Sequence, residues 1–226
     1  MTVHQTFEAT ENGHGPFTFA PELVTLSEPL GQSAEYIRAL RTYVMAQHVE
    51  AGRRALAVCE PAPKLGATFV AANLAVSLAQ AGVSTLLIDG NLRAPTLQHV
   101  FRTERELPGL RECLRAAEPA AGDYVQTVLP NLSVMFAGGP APNAQELLAR
   151  TSFEHVINSC LRDFTMTIID TPPANSCADA LRIASVAGYS LIVSRRHKGV
   201  VGDAKVLANQ LTSSHSTVIG AVMNDG

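Results

Sequence analysis

The chain has few aromatic residues and no excess of basic charge. Phe, Trp and Tyr make up 5% of its 226 residues, and its formal net charge is -3 at pH 7. Proteins that bind nucleic acid directly usually present a basic surface and aromatic side chains on which bases stack. The composition therefore argues against nucleic acid as a direct ligand, and the acid-base balance favours a cytoplasmic protein.

The chain also lacks paired cysteine motifs and a long apolar run. Its cysteines form no C-x-x-C pair and no ligand-like spacing with the seven histidines, so neither a disulfide scaffold nor a zinc site is expected. The longest stretch of small apolar residues, 67–83, is interrupted by polar side chains. No signal-peptide pattern opens the chain. We therefore expect no membrane-spanning segment.

What the chain does contain is enough apolar residues for one core. At 46% hydrophobic residues, 226 residues suffice for a single α/β domain. Residues 1–30 mix prolines, glycines and scattered charges without periodicity, which predicts an N-terminal arm or linker. Residues 31–226 are accordingly predicted to form the folded domain.

Helical and strand patterns alternate along this domain. A helical pattern runs over 32–50, and further helices are predicted near 71–81, 143–161, 178–187 and 200–212. Short apolar runs typical of buried strands lie at 55–59, 85–89, 132–136, 166–170, 190–194 and 218–223. The alternation predicts an α/β fold of three layers, α/β/α, with a mainly parallel sheet covered on both faces.

The segment after the first of these strands is similar to a phosphate-binding loop. Such a loop reads G-x-x-x-x-G-K-[ST]: its amides surround the phosphates, its lysine reaches the terminal phosphates and its hydroxyl binds magnesium. In residues 61–68, Gly66 and Thr68 match this pattern. Because the helical spacing that follows places the helix start near Ala67, this alanine stands in the lysine position.

This loop predicts a weak or absent nucleotide site. Pro61 and Pro63 remove two amide donors, whereas the amides of residues 65–68 are placed to converge at a helix N-terminus. Loss of one charged donor costs about 3 kcal/mol of transition-state stabilisation, so we expect little or no phosphoryl transfer. A second hypothesis is that Lys64, three residues before Ala67, swings back to replace the missing charge.

Two further strands end in an aspartate, Asp89 and Asp170. In open parallel sheets ligands bind at the carboxyl ends of strands, so both carboxylates are expected in the same crevice as the loop. A carboxylate there suits a magnesium ion or an oriented water, and Thr68 and Asp170 are the candidate Mg²⁺ ligands if a nucleotide binds. The alternative is that each aspartate caps a helix or stabilises a turn.

Several segments together resemble the cytoplasmic domain of the bacterial tyrosine kinases of capsular and extracellular polysaccharide synthesis, a family with a P-loop NTPase-like fold. The resemblance covers about residues 28–226. Besides the loop, residues 170–173, Asp-Thr-Pro-Pro, are similar to the family's Walker B segment. Residues 86–95 resemble its second Walker segment, but Asn91 replaces an aspartate there. An amide cannot supply the negative charge of a carboxylate, so a second catalytic group is missing.

The resemblance also implies an assembly helix. Glu35, Arg38 and Arg41 match the family's E-x-x-R-x-x-R helix, which packs neighbouring subunits into a ring. Helical spacing places the three side chains along one face, where a carboxylate and two guanidinium groups can pair across a symmetric interface. The alternative is an ordinary solvated helix face.

The family usually phosphorylates a cluster of tyrosines just past the last strand. This chain reaches Gly226 without such a cluster, and its four tyrosines lie inside or between predicted elements. We therefore expect that no tyrosine tail inserts into the site of a neighbouring subunit.

The missing lysine, aspartate and tyrosine tail predict a pseudokinase in which Asp89 and Asp170 are remnants of a catalytic site. It would regulate polysaccharide synthesis or export by self-assembly and by binding a membrane polysaccharide co-polymerase, which would hold it at the inner membrane. No cofactor is certain, and ATP or ADP with Mg²⁺ would bind weakly through Lys64, Gly66 and Thr68. The alternatives are an active autokinase or ATPase that uses Lys64, and a positioning ATPase of the Min or Par type.

Overall fold

The computed structural model describes residues 17–225. The first elements are β1 (Thr18–Phe19), α1 (Val24–Ser27), α2 (Gln32–Val44) and a π-helical turn at Met45–Val49. Next come β2 (Ala55–Cys59), α3 (Ala67–Gln80), β3 (Thr85–Asp89), α4 (Leu97–Val100), β4 (Phe101–Arg102) and α5 (Leu110–Arg115). A 3-10 turn at Ala121–Tyr124 precedes β5 (Gln126–Leu129), β6 (Leu132–Met135), α6 (Ala144–Ala149) and α7 (Thr151–Asp163). The last described elements are β7 (Met166–Asp170), α8 (Asp179–Ala187), β8 (Tyr189–Arg195), α9 (Val201–Ser213) and β9 (Thr217–Asn224).

Seven strands form one sheet in the order β5-β6-β3-β7-β2-β8-β9. Every neighbouring pair is parallel except β5 and β6, which run antiparallel. Strands β2, β3 and β7 are buried along their whole length, because helices cover both faces of the sheet. The predicted mainly parallel sheet is confirmed.

Two hydrophobic cores lie on opposite faces of this sheet. In β2, Leu56 and Val58 point into the core that contains α3, whereas Ala57 and Cys59 point into the core that contains α5, α6, α7 and α8. Side chains alternate between the two faces of a strand, so one buried strand supplies both cores. The predicted three-layer α/β/α arrangement is confirmed.

Helix α3 occupies the centre of the first core. All of its residues from 70 to 79 are buried, and most are small or apolar. Within residues 17–225, no helix is both long enough and apolar enough to cross a membrane.

The predicted N-terminal arm is wrong for part of its length. Residues 1–16 lie outside the described residues, but Phe17 and Leu23 are buried in the core beside α3. Asn73 of α3 holds α1 in place: its Oδ1 accepts hydrogen bonds from the amide and the hydroxyl of Thr25, both at 3.2 Å. Its Nδ2 donates to the Glu22 carbonyl at 2.9 Å. The tertiary contact therefore orders a segment that has no periodicity of its own.

The single helix predicted over 143–161 is instead two helices, α6 and α7. Arg150 between them has an extended backbone, with φ -67° and ψ 151°. The break lets each helix turn its own apolar side, Leu147 and Leu148 in α6 and Phe153 and Ile157 in α7, into the second core. A helical pattern of apolar residues does not reveal such a change of axis.

Candidate functional site

The three polar loops identified in the sequence meet at one edge of the sheet. Strands β3, β7 and β2 are neighbours in that order, and Asp89 lies directly opposite Asp170 in the register of β3 and β7. Val58 of β2 also lies opposite Asp170, so the loop after β2 begins beside the two aspartates. The parallel arrangement brings the loop and both carboxylates to the same place because all three strands end at this edge.

The loop turns sharply before α3 begins. Lys64 and Gly66 both have left-handed backbone angles, with φ 68° and φ 106°, and α3 begins at Ala67 as expected. A Cβ atom on Gly66 would collide with the side-chain nitrogen of Asn224. Gly66 is therefore required both by its backbone angle and by the close approach of β9.

Ala67 places no charge at the loop. Its methyl group is buried, with 2% of the residue exposed, and it belongs to the core around α3. Lys64 is exposed, and it lines a cavity of about 570 Å³ together with Gly66, Arg195 and Lys198. The lysine of the second hypothesis thus lies beside the loop.

Sequence reasoning missed Glu60, which lies closest to the loop amides. One carboxylate oxygen, Oε2, accepts hydrogen bonds from the backbone amides of Leu65 and Gly66 at 2.9 Å and of Ala67 at 3.2 Å. Glu60 is 7% exposed, and burial raises the pKa of its carboxyl although the amide hydrogen bonds lower it. A carboxylate directly after the strand and directly before the loop was the signal that could have identified it.

Thr68 and Asp170 lie in contact. The Thr68 hydroxyl donates to Asp170 Oδ2 at 2.7 Å, and Thr96 Oγ1 lies 3.1 Å from the same hydroxyl. Asp170 is fully buried, and its other oxygen, Oδ1, has no hydrogen-bond partner within residues 17–225. Hydroxyl and carboxylate oxygens are ligands that Mg²⁺ accepts, so this pair fits the metal half of a magnesium-nucleotide site.

Asp89 stabilises the turn that follows its strand. Its Oδ2 accepts from the amides of Thr96 and Leu97 at 3.0 and 3.1 Å, and its Oδ1 accepts from the amide of Asn91 at 3.1 Å. Asn91 in turn accepts from the amide of Ala94 at 3.1 Å. Both carboxylate oxygens of Asp89 bind backbone amides. These contacts agree with the alternative that Asp89 stabilises a turn.

The carboxyl groups of this edge influence one another. Burial raises the pKa of Asp89 to about 6. Burial and then the charge of Asp89 raise the pKa of Asp170 well above its ordinary value, and the charge of Glu60 adds to this. Because burial and neighbouring negative charges disfavour the ionised forms, Asp89 and Asp170 bind their protons more tightly than free carboxyl groups do.

The loop does not fit the phosphate half of a magnesium-nucleotide complex. The three amides that would surround a phosphate already bind the Glu60 carboxylate, and Ala67 supplies no ammonium group. Lys64 and Gly66 line the same cavity, whereas the Thr68 hydroxyl binds Asp170, so in this arrangement the three residues do not form a complete phosphate site.

The helix expected to mediate assembly makes contacts within the chain. Both Nε and Nη2 of Arg38 bind Glu35 Oε2, at 2.8 and 2.6 Å, one turn away on α2. Arg41 donates to the carbonyl of Ser77 on α3 at 3.3 Å. Glu35 remains mostly exposed, with 68% of its side chain accessible, and Tyr36 beside it is 59% exposed. The interface role of this helix stays a prediction.

The fold is that of a P-loop NTPase-like domain. Solved structures of bacterial tyrosine kinase domains and of a MinD ATPase are similar to it. The chimerical protein CapA2B2 superposes with a TM-score of 0.82 at 27% identity, over 91% of this chain and 90% of that one. The kinase domain of the Escherichia coli tyrosine kinase ETK gives a TM-score of 0.83 at 24% identity, over 99% and 87%. The cell division ATPase MinD of Pyrococcus furiosus gives 0.64 at 24% identity, over 76% and 71%.

Sequence comparison shows the family. CapB of Staphylococcus aureus, named as a tyrosine-protein kinase, is 31% identical over 210 residues, covering 92% of this chain and 90% of that protein. The tyrosine-protein kinase YwqD of Bacillus subtilis is 30% identical over 202 residues, covering 89% and 85%. No protein-family model matches. The chain belongs to the family of bacterial tyrosine kinases.

Some relatives are much longer than this chain. The tyrosine-protein kinase ptk of Acinetobacter johnsonii is 30% identical over 191 residues, which is 84% of this chain and 26% of that protein. The chain therefore corresponds to nearly the whole of some family members and to about a quarter of others.

Proposed function

We propose that this protein is a pseudokinase of the bacterial tyrosine kinase family that regulates capsular or extracellular polysaccharide synthesis or export. The observation that carries the proposal is Ala67: a buried methyl group stands where the family loop has its phosphate-binding lysine. Phosphoryl transfer depends on positive groups that neutralise charge developing on the transferred phosphate. Ala67 leaves the start of α3 without such a group.

Asn91 supports the same conclusion. Its side-chain oxygen accepts a hydrogen bond from the Ala94 amide and holds the turn after β3. A carboxamide there can neither carry the negative charge of an aspartate nor accept a proton from a hydroxyl nucleophile at neutral pH. Asn91 therefore still stabilises the turn after β3, but it lacks the carboxylate that the family has at this position.

The regulatory role rests on family membership. We propose that the protein acts at the cytoplasmic side of the inner membrane by binding a membrane polysaccharide co-polymerase, and that it assembles with itself through the face of α2 that carries Glu35, Arg38 and Arg41. A protein that keeps this helix and its fold can still bind partners without chemistry. Binding of the purified protein to the cytoplasmic segments of a co-polymerase from the same cell, measured by titration, tests the partner directly.

A second candidate function is an active autokinase or ATPase that uses Lys64. The observation in its favour is that Lys64 is exposed and lines the cavity at the loop with Arg195 and Lys198. Lysine has a flexible stem and carries a point charge that can approach from several directions. In this case Lys64→Ala would abolish turnover.

The deciding experiment is an assay of the purified chain with ATP and Mg²⁺ that follows both tyrosine phosphorylation and ADP release. The pseudokinase proposal expects a background that is the same in the wild type, in Lys64→Ala and in Asp170→Asn. Turnover that disappears in Lys64→Ala or Asp170→Asn would refute it. Nucleotide-dependent pelleting with DNA or vesicles would instead favour a positioning ATPase, for which MinD supplies a likeness of fold.

A further inference from the structure

The amide groups that open helix α3 already hold an anion, and this anion belongs to the chain itself. Three consecutive amides, those of Leu65, Gly66 and Ala67, donate to a single oxygen of Glu60 at 2.9 to 3.2 Å. Glu60 lies directly after β2, so its side chain reaches across the turn to the start of the helix that the turn leads into. We call these three amides the loop nest.

The loop nest has the properties of an anion-binding site. Helix α3 has fourteen residues, and the partial positive charge of its dipole lies at the end where the nest is found. Successive amides that converge on one point can donate hydrogen bonds to a carboxylate oxygen or to a phosphate oxygen with the same geometry. A phosphate oxygen that accepts from the same amides must therefore occupy the position of Glu60 Oε2.

Displacing Glu60 is unfavourable for two reasons. Its carboxylate is tethered to the loop, so it competes with any free ligand as an intramolecular group at high effective concentration. It is also 7% exposed, and a carboxylate that leaves the nest loses three charge-assisted hydrogen bonds before it reaches water. A free phosphate would have to form the same three hydrogen bonds, and it would gain no contact with a lysine because Ala67 stands in the lysine position.

The surroundings of the nest add repulsion. The charges of Glu60 and Asp89 both act on Asp170, which binds Thr68 in the first turn of α3. A nucleotide phosphate would bring further negative charge to the same edge. Lys64 is exposed at the rim, and the amides themselves are engaged.

We propose that Glu60 is the resident anion of the loop nest and that it determines which ligands the loop accepts, by excluding phosphate groups from the three amides. The loop is thereby restricted to ligands that present no anionic group at this point. This inference stands independently of the pseudokinase proposal, since it concerns what occupies the nest and not whether the protein acts through partners.

The test uses inorganic phosphate and Mg-ADP as probes, titrated calorimetrically into the full chain. Glu60→Ala removes the resident carboxylate and opens the nest, whereas Glu60→Gln keeps an acceptor oxygen of the same reach without the charge. We expect the wild type to bind phosphate weakly or not at all and Glu60→Ala to bind it at least about ten-fold more tightly, a change of 1.4 kcal/mol or more. Glu60→Gln should lie between them.

A second measurement locates the site. In amide NMR spectra, phosphate should shift the signals of Leu65, Gly66 and Ala67 in Glu60→Ala and leave them unchanged in the wild type. A folded Glu60→Ala variant that gains no affinity would show that Glu60 only stabilises the turn, and the proposal would be wrong. If Glu60→Ala does not fold, the wild type and Glu60→Gln are compared instead. Phosphate-induced shifts of the three amide signals in the wild type would overturn the proposal. Unchanged amide signals in the wild type, together with shifted signals in Glu60→Gln, would support it.

The two proposals fail separately. ATP turnover by the wild type removes the pseudokinase proposal, yet Glu60→Ala would still bind phosphate more tightly if Glu60 occupies the nest. Equal affinity of the wild type and Glu60→Ala for phosphate removes the proposal for Glu60, whatever the turnover.

Discussion

At the scale of single residues, the edge of the sheet brings together three buried carboxyl groups. Glu60 and Asp89 bind backbone amides, and Asp170 binds the hydroxyl of Thr68. Burial raises the pKa of each of these carboxyl groups. Since a carboxyl group with a raised pKa binds its proton more tightly in the folded than in the unfolded protein, these groups make stability depend on pH.

The first prediction concerns this pH dependence. The pKa of Asp89 rises from its ordinary value of 3.8 to about 6 on folding. Its contribution to stability is fully present below about pH 4 and is lost as the pH rises to about 6. The free energy of unfolding should fall over this interval by on the order of 3 kcal/mol from Asp89 alone, measured by urea denaturation at several pH values.

Carboxyl-carbon NMR provides the control for this prediction. It should show a pKa of about 6 for Asp89 and a pKa well above the ordinary value for Asp170, which the charge of Asp89 raises further. A carboxyl that titrates near 4, together with an unfolding free energy that is constant or rises between pH 4 and 6, would show that burial does not control these groups.

The second prediction concerns Gly66. Gly66→Ala should destabilise the protein by about 2 kcal/mol, because a left-handed backbone angle costs 1 to 2 kcal/mol for a residue with a Cβ and the new methyl also meets Asn224. Asn224 donates to the Leu65 carbonyl at 3.2 Å, and this bond would be strained as well. Urea denaturation measures the change.

Gly82→Ala is the matched control. Gly82 has φ 83°, but a Cβ atom there meets nothing within 4 Å. This variant should lose about 1 kcal/mol from backbone strain alone. Equal losses in the two variants would mean that the approach of Asn224 to the loop has no energetic effect.

At the scale of elements, α1 depends on α3 for its position. Asn73, which is 1% exposed, satisfies the amide and hydroxyl of Thr25 and the carbonyl of Glu22 through one side chain. Buried polar groups that lose their partner retain the cost of desolvation. The short helix α1 has only four residues, so it has little stability of its own.

The third prediction follows from this contact. Asn73→Ala should reduce the free energy of unfolding by about 2 kcal/mol and increase hydrogen exchange at residues 22–27. Gln80→Ala serves as the control, since Gln80 makes one long bond of 3.4 Å to the Thr25 carbonyl. Equal exchange in both variants would show that Asn73 does not order this segment.

At the scale of the whole molecule, α2 presents a polar and aromatic face to solvent. Tyr36 and Tyr43 are 59% and 44% exposed on this helix. Glu35 and Arg38 pair with each other within the chain, so assembly through this face would require them to exchange or share partners between subunits.

The fourth prediction tests the proposed self-assembly through this face: if the protein assembles there, charge reversal should lower its mass in solution. Glu35→Arg should shift the protein toward the monomer in analytical ultracentrifugation, because like charges would then face each other across a symmetric interface. Lys205→Glu, an exposed change on α9, should leave the mass as in the wild type. An unchanged mass in Glu35→Arg would show that this face is not the interface.

Much of the fold was predictable from local pattern, and the errors have physical causes. The strands around the site were correct because buried parallel strands are continuous apolar runs that end in turn residues. The prediction of an N-terminal arm was wrong for the part that contains Leu23 and Thr25, because contacts with α3, far along the chain, order this part. The edge strand β5 and helix α5 were missed because short elements carry little periodicity.

The sequence alone shows that Ala67 in the loop and Asn91 in the second Walker segment lack the charges that the family has there, since side-chain chemistry does not depend on the fold. It also determined the alternation of strands and helices. The direction of the Glu60 side chain, and the hydrogen bonds that it accepts from the loop amides, are visible only in the folded structure. These contacts depend on backbone angles at Lys64 and Gly66 and on the packing of β2 against α3, so no pattern along the chain specifies them.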